Sequence, residues 1–244
     1  MASVRLTQMR MNYFLITIAA IGICTLLYIQ GELGLRDIGT SVLALFGTFL
    51  GATLAFRLNE QKEEAETARK KREALNRALF VLIRQHNAII QLKRDMDACP
   101  NDFHLAFNMP ALKPPSYADL FQHVADLEFL IDSGNPNILF KLTIEQERFH
   151  QAIDSIRIRN EFYVNEVQPQ LAATGMNGKR VTLEDAEALL GERIFGGAMN
   201  GAIHAKKHLN DSNDSIPKVL EELRTEAKEL FPGHKFLDYQ NSNN

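Results

Sequence analysis

A chain of 244 residues sets 27 Lys and Arg against 30 Asp and Glu, for a net charge of −3 and a pI near 6.2. That balance excludes a nucleic-acid-binding surface spread over the whole chain. Two cysteines, Cys24 and Cys99, exclude a disulfide framework and a metal knuckle, and fit a reducing compartment.

Two apolar runs stand near the start, Asn12–Ile29 and Ile38–Phe56, and neither interior holds a charged side chain. At 1.5 Å per helical residue each reaches roughly 27–29 Å, against roughly 30 Å of hydrocarbon in a bilayer. They predict transmembrane helices over 12–29 and 38–56, joined by a short periplasmic link over 30–37 and preceded by a cytoplasmic N-terminus over 1–11. A cleavable signal peptide would start from Arg5 and Arg10. Against it, the run is too long, no small-x-small site follows Tyr28, and a second run begins almost at once. A lipoprotein reading of Cys24 fails because Ile23 stands where a small residue is needed. Arg57, Lys62, Arg69, Lys70, Lys71 and Arg72 follow the second run, while the link has only Arg36. The positive-inside rule therefore places both termini in the cytoplasm. So short a link leaves no room for an external sensing domain.

In the second run small residues recur at Gly47, Gly51 and Ala55, with Thr40, Ala44, Thr48 and Ala52 as an adjacent ladder. Small residues let helix backbones approach closely in lipid, where association rests on packing and interhelical hydrogen bonds. Two readings stay open. Gly47, Gly51 and Ala55 form a self-association face that builds an oligomer, or Gly47 and Gly51 pack against Ala20 and Cys24 of the same hairpin. The run contains no acid, base or His, which disfavours a dedicated transporter.

From Arg57 the pattern predicts a stalk helix over 57–98. Asn59–Glu73 carries both charge signs, with Glu66 placed to pair with Lys70 and Arg69 with Glu73. The cluster Arg69–Arg72 reads as a solvated face, because it stands about 18 Å past the span and a Debye length is about 8 Å. Further on, Leu75, Leu79, Leu82, His86, Ile89 and Met96 make an apolar stripe, widened by Ile83 and Ile90. His86 lies on that stripe and reads as a buried, partnered histidine.

The remainder predicts a helical cytoplasmic domain over 99–232 and a tail over 233–244. Asn101–Pro115 reads as a loop. Ser116-x-x-Asp119 reads as a capping box opening a helix through Leu120, Val124, Leu127 and Ile131 to Gly134. Asn135-Pro136 opens the next helix, striped by Leu142, Phe149, Ile153, Ile156 and Tyr163, with Pro169 beyond its end. After a loop over Gln170–Arg180, Thr182-x-x-Asp185 caps a helix whose side carries Leu183, Ala186, Leu190, Ile194, Gly197 and Gly201. Those glycines imply a close crossing or a bend. A last helix spans about Ile216–Phe231 and stops at Pro232-Gly233. The fold class is all-α: an N-terminal two-helix transmembrane hairpin, a long charged stalk helix and a C-terminal cytoplasmic helical bundle.

Signals for chemistry are few. His204 and His208 have metal-ligand spacing, but no Glu adjoins them and Asp211 is only a guess at a third ligand, so no metal is expected. Gly175-Met-Asn-Gly178-Lys179 lacks the spacing and the strand of a phosphate loop. Glu184, Asp185 and Glu187 are accounted for by the helix macrodipole. No nucleophile elbow or Cys–His pair is evident. The expectation is a protein without cofactors that is not an enzyme.

The Gly-rich second span, IGTSVLALFGTFLGATLAF, runs directly into the charged stalk RLNEQKEEAETARKKREALNRALF. This layout resembles the two-transmembrane effector (toxin) proteins of bacterial retron-type antiphage defence systems, encoded beside a reverse transcriptase. The resemblance implies a dormant, multi-pass inner-membrane protein held inactive by a cytoplasmic partner, the reverse transcriptase with its RNA–DNA hybrid. Released, such an effector damages the inner membrane and aborts infection. Homo-oligomerisation through Gly47, Gly51 and Ala55 would fit, with no nucleic acid bound directly and no catalytic residue carried over. The alternative is a harmless membrane adaptor that recruits a partner through its helical domain. A gated channel with Thr40, Ser41 and Thr48 turned inward is disfavoured by the lack of polar pore-lining residues.

Overall fold

A computed structural model describes residues 35–112, 117, 119–176, 179 and 182–238, with Gly22, Thr25 and Ile29 as isolated helical positions before them. Most of the first apolar run and of the link lies outside the described residues, as do Ser116 and most of Met176–Val181. Among the described residues every regular element is helical and there is no β-strand. In chain order they are α1 (Leu35–Asp97), α2 (Asp102–Phe107), a 3₁₀ helix (Val124–Asp132), α3 (Asn137–Phe162), a π-turn (Tyr163–Val167), α4 (Gln168–Ala173) and α5 (Leu183–Leu230). The chain divides into two compact units, Met1–Ala68 and Arg69–Asn244.

In the first unit, α1 is long and apolar enough to cross a membrane: an 18-residue window beginning at Gly39 or later reaches a mean hydropathy of 1.6 with none of it buried. Leu43, Phe46, Leu50, Leu54 and Phe56 are all exposed. So long a row of uncovered apolar side chains is costly in water and suits lipid. Thr48 and Thr53 turn their hydroxyls onto the helix, donating to the carbonyls of Ala44 and Phe49 at 2.8 Å each.

The second unit is organised round the last part of α1. The expected stripe is buried along its length, from Leu75 and Leu79 to Ile89 and Met96, joined by Gln85 and His86. α3 contributes Leu142, Phe149, Ala152 and Ile156, and α5 contributes Ala198, Ala202, Ala205, Leu209, Ile216 and Leu223. The small residues of α5 bring it close to α3. A Cβ built on Gly197 would stand 2.7 Å from Phe162 Cζ, and one on Gly201 would stand 3.9 Å from Arg159. The glycine pair therefore marks a close crossing. The bend belongs to a different glycine, Gly191, whose φ of 74° interrupts the helix.

Several expectations are corrected. The Asn101–Pro115 loop contains α2, because Asn101 caps it by accepting the His104 N–H at 2.9 Å. The helix expected after Ser116 begins only at Val124 and is 3₁₀. Its three-residue period buries Leu127 and Leu130 and leaves Ile131 57 % exposed. Pro169 does not mark the end of helical structure. It lacks an N–H for the fourth residue back, the turn before it loosens so that Gln168 donates to Tyr163, and α4 follows with Pro169 in its first turn. α4 also occupies the start of the expected Gln170–Arg180 loop. Finally, the last two expected helices are one, α5, with Pro217 inside it. The Thr182 cap is as expected, its Oγ1 accepting the Asp185 N–H at 3.2 Å, and the helix gives way at Phe231 before Pro232-Gly233.

Candidate functional site: the association face and the stalk clamp

Gly47, Gly51 and Ala55 lie on one side of α1 and are exposed, and none of the described residues stands within 4 Å of a Cβ built on either glycine. Val42 and Leu45 are the half-buried positions of this stretch. At about 100° per residue, Gly47 points roughly 140° away from Val42 and roughly 160° from Leu45, and Gly51 roughly 180° and 120°. The two glycines therefore face away from the half-buried positions of the helix. Ala20 and Cys24, the alternative intramolecular partners, lie outside the described residues. Thr40, Ala44, Thr48 and Ala52 are exposed beside the ladder.

The basic cluster at the head of the second unit is not simply solvated. Arg69 reaches Glu73 at 3.9 Å, as expected. Lys71 sits 5.1 Å from the centroid of the Phe129 ring, and the Arg72 guanidinium 6.0 Å from that of Phe231. Two more cations continue the row, Arg77 pairing with Asp126 at 3.0 Å and Arg84 with Asp119 at 2.5 Å. The hydrogen bond from Arg84 holds the Asp119 carboxyl below the usual carboxylate range. Exposed pairs of this kind are worth little singly, and cation–π contacts about 0.5–1 kcal/mol. Their value lies in direction: successive turns of the stalk are tied to the 3₁₀ helix, the segment before it and the end of α5.

Beneath that row three buried glutamines fix the irregular segment 119–123. Gln85 donates to the Leu120 carbonyl and to Gln146 Oε1, each at 3.1 Å. Gln146 accepts from the Gln122 N–H at 3.0 Å and donates to the Leu120 carbonyl at 3.1 Å. Gln122 donates to the Ala78 carbonyl at 3.2 Å. The Leu120 carbonyl and the Gln122 N–H, in a segment outside the helices, are thus satisfied by side chains from α1 and α3.

A second buried polar centre is Arg159. It donates to the carbonyls of Leu105 (2.8 Å), Met109 (2.6 Å) and Pro110 (3.1 Å), and its guanidinium lies 4.7 Å from the Tyr163 ring centroid. Asn160 and Leu112 exchange two further hydrogen bonds, and the Tyr163 hydroxyl donates to Phe107. A cation over the carbonyl end of α2 satisfies acceptors that the short helix leaves open. Burial lowers the pKa of Arg159, yet an arginine keeps its charge. Sequence reasoning missed this residue and the three glutamines. Gln85 adjoins His86 on the α1 stripe, and Gln146 falls between Leu142 and Phe149. A polar side chain at an apolar register position was the available signal.

His204 and His208 have metal-ligand spacing on α5. Among the described residues no group of three His, Cys, Asp or Glu side chains is placed to hold a metal. Asp211 instead lines a shallow groove of about 320 Å³ with Asp102, Lys206 and Lys207, where the lysine charges oppose a metal cation. No family model, curated protein or solved structure matches the chain.

Proposed function

We propose that the chain is an inner-membrane effector of a bacterial antiphage, abortive-infection system of the retron type. Its two spans form a hairpin with both termini in the cytoplasm, and its C-terminal helices form a cytoplasmic bundle that a partner holds inactive. That partner is a reverse transcriptase with its RNA–DNA hybrid, bound through protein surfaces without direct nucleic-acid contact by this chain. Once released, the spans associate through Gly47, Gly51 and Ala55 and breach the membrane. No catalysis and no cofactor enter this reading.

The observation that supports it best is the bare glycine face of α1, turned away from the half-buried Val42 and Leu45. A small-residue face open in lipid is suited to a second copy of the same helix. The test is inducible bacterial expression of the parent chain and of Gly47→Leu with Gly51→Leu, at membrane levels matched by fractionation. Membrane potential and propidium entry are followed over minutes. Rapid depolarisation by the parent alone is expected. Equal depolarisation by both forms removes the association mechanism, and unchanged potential with normal growth for every form favours the adaptor.

A further inference from the structure

The segment after α5 is built as a strap. The chain leaves the helix at Phe231 and turns at Gly233, whose φ is 82°. Phe236 then buries its ring, 8 % exposed, with the Phe231 and His234 centroids 6.4 and 4.8 Å away. The Leu237 N–H donates to Asn76 Oδ1 at 3.2 Å, and Asp238 pairs with Arg224 of α5. From the stalk side Arg72 covers Phe231. Short segments beyond a last helix stay in solvent unless something ties them down. Two of these contacts reach one turn of α1, Arg72–Asn76: the Leu237–Asn76 hydrogen bond and the Arg72–Phe231 cation–π contact; the ion pair ties the same strap to α5.

None of these contacts is strong alone, which suits a contact made to be released. The turn they hold belongs to the same unbroken helix as Gly47 and Gly51. Intact i to i−4 hydrogen bonds leave an α-helix little room to absorb a twist. A restraint at Arg72–Asn76 is therefore a restraint on the helix that carries the association face.

We propose that Phe231–Asp238 is an autoinhibitory latch on α1, and that its release activates the chain. The inference rests on the effector reading above. The test uses the full chain with Phe236→Ala, and separately the milder pair Asn76→Ala with Asp238→Asn, which spares the aromatic anchor. Amide exchange is read at residues 72–76 in nanodiscs, and depolarisation is read after induction at matched membrane levels. Exchange about tenfold faster, together with faster depolarisation than the parent, is expected of both variants. Depolarisation by the variants with a silent parent supports the latch equally. Faster exchange with unchanged depolarisation, while Gly47→Leu with Gly51→Leu abolishes the parent's effect, overturns the latch and leaves the effector reading standing. Unchanged exchange also overturns it. If no form depolarises the membrane, the effector reading fails and the latch fails with it.

Discussion

His86 of α1 stands against Asn213 of α5, whose side chain and main chain both favour the protonated imidazole. The main-chain group that does so is the Asn213 carbonyl. That carbonyl stands four residues before Pro217, which has no N–H to offer it. A proline inside α5 thus leaves that acceptor without its helical donor, beside a buried histidine from the stalk.

Stability should fall in mild acid through this histidine. Burial is the largest influence on His86 and, against the opposing influence of Asn213, lowers its pKa from the ordinary 6.5. The unfolded chain therefore takes up the proton first as pH falls. The contribution of His86 is complete above the unfolded value and is lost progressively from there down to the folded value. The denaturation midpoint of the solubilised full chain, followed from about pH 8 to about pH 5, should drop more steeply for the parent than for His86→Gln. Parallel curves would remove His86 from the account.

Gly197→Leu should destabilise the second unit by about 1–3 kcal/mol, since the new side chain meets the Phe162 ring at once. Phe162→Ala in the same chain should recover part of that loss, because the two changes share one space. Denaturant midpoints of the two single variants and the double complete the cycle. Strict additivity would mean that the helices do not cross there.

Arg159→Met should cost about 3 kcal/mol, leaving the carbonyls of Leu105 and Met109 without their donor. Arg159→Lys should recover little, because an ammonium lacks the planar fork that spans several carbonyls. Amide exchange within α2 is the specific readout. Protection there that survives Arg159→Met would contradict the assignment.

How far the sequence could be read depended on whether the signal was local. The stripe Leu75–Met96 and the Thr182 cap rest on spacing within one helix, and both were legible. So was the apolar helical stretch that includes Ile38–Phe56, where composition alone carries the signal. Lys71 and Arg72 read as solvated because their aromatic partners, Phe129 and Phe231, lie far along the chain and no local pattern points to them. The 3₁₀ helix was misread because leucines spaced for a three-residue turn also satisfy a helical stripe over so short a stretch. The fusion of the last two expected helices was missed because Pro217 is a residue that ordinarily ends a helix, whereas the break at Gly191 falls inside a stretch read as continuous. The glycine ladder was legible as a pattern, whereas its orientation away from Val42 and Leu45 needed burial to be seen.

The order of synthesis gives the strap one more consequence. Ribosomes add roughly 5–20 residues per second, and everything between Arg72 and Phe231 must be made before the two can meet. For many seconds each new copy has its apolar helix segment complete and its restraint still untranslated. A messenger broken or a ribosome stalled within α5 would leave that copy permanently unlatched. Under the proposed latch, the linear order of the chain makes an intact message a condition of restraint.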